Sequence, residues 1–282
     1  MLFSVIVPFL NEEKYIRRCL EALVDQDFGK NEYEIIFVDN GSADGSSAIV
    51  SQFSGVRLLR EEARGAYKAR NRALAEAKGE IIAFTDADCV VVKDWLRQIE
   101  NGMKDTGASI AMGPVYFPND NSKALKLFED YQNAKAEYVM NKSLKKFYYG
   151  YTNNMAFKAD IFKKLGLFSE GVGSGDTEMV HRCMAKYPGC KVAYLEDVKV
   201  EHLEVSGLGV YQKKMYGYGR DSILVNKACG YASLGLKERL EVYRYCCDKH
   251  SYSVSDRALS LIVLLMVFFS FECGRLMRKM GM

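Results

Sequence analysis

A chain of 282 residues with 49% hydrophobic content can bury a full core, as one large domain or as one domain with an appendage. Its net charge of +3 gives no push toward nucleic acid. The eight cysteines form no C-x-x-C pair and no secretory signal precedes the first apolar run, so reduced thiols in a cytosolic compartment are expected.

Residues 3–7 read as a first strand, followed by Pro8 and the polar turn Asn11-Glu12-Glu13. A helix with acids in its first turn is expected next, with Ile16, Leu20, Leu23 and Val24 facing a sheet. A second strand, Glu34 to Val38, stops at Asp39-Asn40-Gly41-Ser42, and Asp44 is placed to cap the helix after it. Val56 to Leu59 reads as a third strand, and a helix from Ala66 to Ala77 follows Gly65. Gly79 then precedes Ile81-Ile82-Ala83-Phe84-Thr85-Asp86-Ala87-Asp88-Cys89, an apolar run that ends abruptly in two aspartates. Strands and helices alternating in such units form a parallel α/β sheet, whose strand carboxyl ends face the ligand crevice. Two carboxylates there meet water, a hydroxyl or a hard cation, or they are solvated loop acids.

Beyond Asp88 a helix around Trp95 to Met103 leads to a strand at Ser109 to Met112. Residues 122–146 read as a helix with six lysines, either a solvated helix with a packed apolar face or a substrate-facing lid. Asn153 to Phe157, a short helix from Ala159 to Leu165 and the glycine-dense stretch Gly171 to Glu178 come next. Strands are expected at 191–195 and 198–200, with His202 after them, and helices at Tyr211 to Ala228 and Leu236 to Asp248. Residues 258–271 are nearly all apolar but fall short of the about 20 needed to span a bilayer, and basic residues flank both ends. An interfacial or re-entrant anchor fits that run; a buried helix or a dimer seam fits it too.

Several activities lack their fingerprints: no P-loop, no G-x-G-x-x-G after the first strand and no G-x-S-x-G elbow is present. Three histidines and scattered cysteines do not suit a structural zinc site. A carboxylate pair suited to Mg²⁺ or Mn²⁺ remains.

Val5 to Glu13, Val38 to Ser42, Gly65 to Asn71 and Asp86-Ala87-Asp88 resemble, in order, the donor-side motifs of the family 2 inverting glycosyltransferases. Asn154 to Lys158 and Gly175 to Glu178 resemble that family's acceptor-side motifs, and the resemblance covers residues 3–220. It implies a GT-A fold: a Rossmann-like, mostly parallel sheet flanked by helices, here followed by a helical, membrane-associating C-terminal region. The expected division is a catalytic domain at 1–205, split into a nucleotide-sugar half (1–114) and an acceptor half (115–205), and a helical region at 206–282.

The resemblance further implies a nucleotide-sugar donor, held by the backbone near Pro8 with Glu12, Asp39 and Arg70, and by Asp86 at the ribose or the metal's water shell. Asp88 would ligate Mg²⁺ or Mn²⁺, His202 would complete that site, and Asp176 would be the general base. Gly175 stands where many relatives carry a second acid, and the Gln-x-x-Arg-Trp motif of processive synthases is absent after residue 200, so transfer of a single sugar is expected. The expected acceptor is a lipid-linked or cell-surface glycan intermediate, with the enzyme peripheral or monotopic at the cytoplasmic face of a membrane and no nucleic-acid partner. A nucleotidyltransferase and a catalytically silent scaffold are the competing readings. The first wants a glycine-rich basic signature that Asn11-Glu12-Glu13 does not supply.

Overall fold

The first strand, β1 (Phe3–Phe9), is buried along its whole length because it lies at the middle of a sheet covered on both faces. Its side chains alternate: Phe3, Val5, Val7 and Phe9 enter one apolar core, and Ile6 enters the other. The computed structural model describes residues 1–118, 122–171 and 174–280, so Val172 and Gly173 of the glycine-dense stretch lie outside the described residues.

β2 (Tyr33–Asp39), β3 (Val56–Arg60) and β4 (Ile81–Thr85) run parallel to β1, and the helices between them cover the two faces. Of these helices, α1 (Ile16–Val24) supplies Ile16, Leu20 and Leu23 to one core, and α3 (Ala66–Leu74) supplies Ala69 and Ala73 to the other. With β6 (Ile110–Met112), β8 (Asn154–Lys158) and β9 (Val192–Tyr194) the seven-stranded order is β3-β2-β1-β4-β8-β6-β9. Only β8 runs against its neighbours, so the sheet is mostly parallel, as expected. A small second sheet has the order β5-β10-β7, from β5 (Cys89–Val91), β7 (Val115–Tyr116) and β10 (Val200–His202).

Several local expectations need correction. No acid lies in the first turn of α1, because Glu13 serves the next loop instead: its Oε2 accepts from Gly45 N at 3.1 Å. Asp44 does not cap α2 (Ser46–Val50); Gly45 holds that position, and Asp44 Oδ1 accepts from Ser46 N at 3.0 Å. α3 ends at Leu74, before Ala77. At Gly79 a Cβ would fall 2.3 Å from Ser4 N, so only glycine lets the chain pass this close to β1 on its way into β4. His202 does not follow the last strand but ends it, since β10 begins two residues later than expected.

Asn154 of the acceptor-side motif is an interior residue. It is fully buried, its Nδ2 donates to Pro114 O and Val198 O at 2.9 and 2.7 Å, and its Oδ1 accepts from Trp95 Nε1 at 3.0 Å. Trp95 opens α4 (Trp95–Thr106), so this amide joins a helix, a strand and two loops.

The lysine-bearing segment forms α5 (Lys123–Asn141), and α6 (Asp160–Leu165) and α7 (Gly175–Lys186) follow β8. Last come α8 (Leu208–Cys229), α9 (Leu236–Lys249) and α10 (Val254–Lys279). The 26-residue α10 extends well past the apolar run and is long and apolar enough, by length and composition, to cross a membrane. It also crosses α8 at close range. A Cβ at Gly219 would lie 2.0 Å from Phe271 O, and one at Gly274 would lie 2.0 Å from Tyr216 O. The Tyr216 to Arg220 segment therefore carries a helix contact, made through Gly219.

Candidate active site

The β1–β4 ladder ends at the pair Ile6 and Phe84, and beyond it the two chains part. Pro8 lies just past that pair, where a strand residue without an N–H is tolerated. After Thr85 the chain turns, and Cys89 N returns to Asp86 O at 3.0 Å, so Asp86 and Asp88 are presented at the carboxyl edge of the sheet.

Asp86 is met by Arg70 of α3, with Nη2 and Oδ1 2.6 Å apart. The Arg70 side chain is almost fully buried and its Nε has no hydrogen-bond partner among the described residues. Its guanidinium also lies 5.3 Å from the centre of the Tyr67 ring. Asp88 is met by His202, whose Nε2 is 2.9 Å from Oδ2. Burial pushes the Asp88 carboxyl up, but the His202 hydrogen bond and charge, with Lys214 beyond, outweigh it and hold the group below its ordinary value.

Asp88, Cys89 and His202 bring their ligand atoms within 4.8 Å of one another. Burial and the neighbouring carboxylates push the Cys89 thiol well up, and beside it Asp88 and His202 offer an oxygen and an imidazole nitrogen. That pair fits a divalent cation with positions left for other oxygens, and the imidazole suits Mn²⁺ better than Mg²⁺.

Glu12 belongs to the same electrostatic neighbourhood. Burial, then the charges of Asp88, Glu204 and Asp86, push its carboxyl up to about 7. Asp39 is engaged locally: Oδ1 accepts from Ser42 N at 2.8 Å and Oδ2 from Ser47 Oγ at 2.6 Å. These bonds outweigh its burial and keep it below its ordinary value. Asn40 beside it ties the loop down, accepting from Gly65 N at 2.7 Å and donating to Glu61 O and Ala63 O.

Asp176 lies in the first turn of α7, buried. Its carboxylate accepts from Thr177 N at 2.7 Å and Thr152 N at 3.3 Å, and the Tyr67 hydroxyl also bonds to it. Burial nevertheless prevails and its pKa is raised. Glu178, two residues on, is a largely buried acid paired with Arg182 at 2.8 Å.

Arg70, Asp86, Asp176 and His202 all line one cavity, with Asp88 bonded to His202 at its wall. Pro8, Glu12 and Asp39 are not in that lining. Tyr67 and Lys214 are contributors that the sequence does not single out, and Tyr218 belongs to a segment, Tyr216 to Arg220, that fits either an acceptor lining or a helix packing contact. Lys214 bonds Glu204 at 2.5 Å and faces Asp88 and Asp86, while Tyr218 lies in the field of Asp176, Asp86 and Asp88. Tyr67 lies within a recognised motif, whereas Lys214 is placed only by the return of α8, for which no local signal exists.

A mostly parallel sheet with acids at its carboxyl edge, a second small sheet carrying an imidazole to them, and a buried carboxylate across the cavity define a GT-A transferase. The sequence model described as Glycosyl transferase family 2 matches residues 4–166, and the chain belongs to that family. Glycosyltransferase AglE of Haloferax volcanii is 31% identical over 229 residues, covering 79% of this chain and 73% of AglE. TarS of Staphylococcus aureus, a poly(ribitol-phosphate) β-N-acetylglucosaminyltransferase, is 41% identical over 102 residues, 34% of this chain but only 18% of TarS. Among solved structures, the mannosyltransferase PcManGT from Pyrobaculum calidifontis with GDP-Man and Mn²⁺ superposes with a TM-score of 0.68 at 20% identity, over 98% of this chain and 86% of that one. The TarS 1–349 fragment with UDP-GlcNAc gives 0.60 at 18% identity, over 100% and 92%. The protein is thus a glycosyltransferase with the GT-A fold.

Proposed function

We propose that the enzyme transfers a single sugar, with inversion, from a nucleotide-diphosphate sugar to an acceptor hydroxyl, using a divalent cation held by Asp88 and His202. The observation that carries this is the meeting of Asp86, Asp176 and His202 in one cavity, with Asp88 bonded to His202. The backbone near Pro8, with Glu12, Asp39 and Arg70, surrounds the nucleotide in this reading. Asp86 keeps Arg70 in place and, with a third of its side chain exposed, can still meet a ribose hydroxyl. The partnerless Arg70 Nε supports an anionic ligand beside it.

When bound, the cation supplies positive charge that stabilises the leaving diphosphate. Asp176 takes the proton of the acceptor hydroxyl on the opposite face of a sugar that develops oxocarbenium character. Thr177 N, Thr152 N and the Tyr67 hydroxyl fix its carboxylate, and its raised pKa makes it a stronger base than a solvated aspartate.

A UDP-sugar is the favoured donor, supported by the 41% identity over 102 residues with TarS, whose 1–349 fragment forms a complex with UDP-GlcNAc. Residues 1–205 act as the catalytic unit, 1–114 for the donor and 115–205 for the acceptor, and 206–282 associates with the cytoplasmic face of a membrane. Support for the last point is the row Leu261, Ile262, Leu265, Met266 and Phe269 on α10, exposed on an otherwise apolar helix. The acceptor is then a lipid-linked or cell-surface glycan intermediate.

The stereochemistry is open to direct test. Slow donor hydrolysis followed by proton NMR should first release the sugar with inverted anomeric configuration. Release with retained configuration overturns the mechanism.

A further inference from the structure

The cavity that contains Asp86, Asp176 and His202 continues past them, about 830 Å³ in all, between α5, α8, α9 and α10. Part of its wall is apolar: Leu240 of α9 with Leu261, Leu265 and Phe268 of α10. These four side chains are also among the exposed large hydrophobics, so the cavity opens onto the apolar surface of the C-terminal helices.

The same wall carries two cations, Lys135 of α5 and Arg239 of α9. Lys135 Nζ donates to Gln132 Oε1 at 3.0 Å and lies 4.8 Å from the centre of the Tyr149 ring. Arg239 Nε donates to Leu234 O at 2.9 Å, and its guanidinium stands 4.7 Å from the centre of the Phe268 ring. No ion pair among the described residues includes either one. Burial, with Arg239 adding to it, brings the Lys135 ammonium down to about 7. The acid beside them in the lining, Glu272, is engaged by Arg275 at 2.9 Å, and two withdrawn cations without an ion-pair partner are costly unless an anion joins them.

Lys135 shares its cavity with Asp176. Tyr149 is followed by Gly150, whose N donates to Thr177 Oγ1 at 3.1 Å, and a Cβ on Gly150 would fall 2.8 Å from the Asp176 carbonyl carbon. Lys135 is thus linked to Asp176 through the Tyr149 ring and the Gly150 backbone.

We propose that Lys135 and Arg239 bind a phosphate or diphosphate of the acceptor, which is a lipid-linked phosphosugar whose apolar chain leaves past Phe268 and Leu265. This deepens the glycosyl-transfer reading and rests on it. The two cations match the anion, the apolar wall beside Arg239 matches the chain, and Asp176 faces the sugar hydroxyl beyond. A neutral free sugar would use neither the cations nor the wall. A free sugar phosphate would use the cations alone.

Calorimetric titration of the full chain in non-ionic detergent, with EDTA present to exclude metal–diphosphate binding, separates these sources. The probes are farnesyl diphosphate, inorganic pyrophosphate and farnesol. Farnesyl diphosphate is expected to bind at least about tenfold more tightly than either of the others. Lys135→Met and Arg239→Gln should each lose about tenfold or more for it, and Lys135→Arg should retain it. Equal affinity for farnesol would remove the anion subsite, equal affinity for pyrophosphate would remove the lipid exit, and unchanged affinity in folded Lys135→Met and Arg239→Gln would remove both residues. Should one variant fail to fold, the other carries the test. Donor binding with Mn²⁺ is measured on the same wild-type preparation; its absence would defeat the transferase reading while leaving the lipid diphosphate result to stand or fall by itself.

Discussion

His202 Nε2 lies 2.9 Å from Asp88 Oδ2, and strand register puts it there: His202 pairs with Cys89 in the antiparallel β5–β10 ladder. Leu203 N closes the arrangement by donating to Asp88 O at 2.8 Å. The imidazole is therefore delivered to the carboxylate by backbone pairing and held by both main chain and side chain.

If these two groups hold the cation, Asp88→Ala should weaken Mn²⁺-dependent donor binding by more than about tenfold, and His202→Ala should weaken it less. Calorimetry of the nucleotide with and without Mn²⁺ reads both. A metal dependence that survives intact in Asp88→Ala counts against the assignment.

Asp176→Asn should lower turnover by about 10²–10⁴-fold while nucleotide affinity stays near that of the wild type. The amide keeps the shape and can still accept from Thr177 N, so a loss confined to turnover separates base function from packing.

Turnover should also fall on the acid side through the Asp176 titration. A base works deprotonated and burial raises this pKa, so the acidic limb lies above the range of a solvated aspartate. A pH–rate profile flat down to that range would contradict the role.

Glu12 offers a stability measurement with a defined sign. Its folded pKa, about 7, stands above the ordinary 4.5, so the folded state binds that proton more tightly than the unfolded chain does. The contribution is complete below the unfolded pKa and is lost as pH rises through about 7. Without metal, Glu12→Gln should therefore raise Tm at pH 8 relative to the wild type and gain little at pH 5, as differential scanning calorimetry would show.

What the sequence reveals and what it hides divide along physical lines. Strand ends with Asp39, Asp86 and Asp88 are legible because apolar runs stopping at acids mark the carboxyl edge of a parallel sheet. The Asp88–His202 contact follows only from the family resemblance, because it depends on the register of a three-residue strand in a second sheet. The inward direction of the Asn154 amide is also hidden, because a motif gives residue order but not where a side chain points. Lys135 is one of six lysines in residues 122–146, and only packing against α9 distinguishes it.

The α8–α10 crossing can be tested by size alone. Gly274→Leu would set a side chain against the Tyr216 carbonyl, where a Cβ already lies 2.0 Å from the oxygen. Overpacking of this kind typically costs about 1–3 kcal/mol, and the clash is with backbone that cannot rotate away. A Tm equal to that of the wild type would mean that the two helices part freely.

The most direct test of the central claim is nucleoside diphosphate release from a panel of UDP- and GDP-sugars, with Mn²⁺ and with EDTA, by the wild type and Asp88→Ala. The account predicts release from one nucleotide series, UDP-sugars first, only with the cation and only with Asp88 present. Release that persists undiminished in EDTA, or in Asp88→Ala, would contradict a metal-dependent transferase built on this pair of residues.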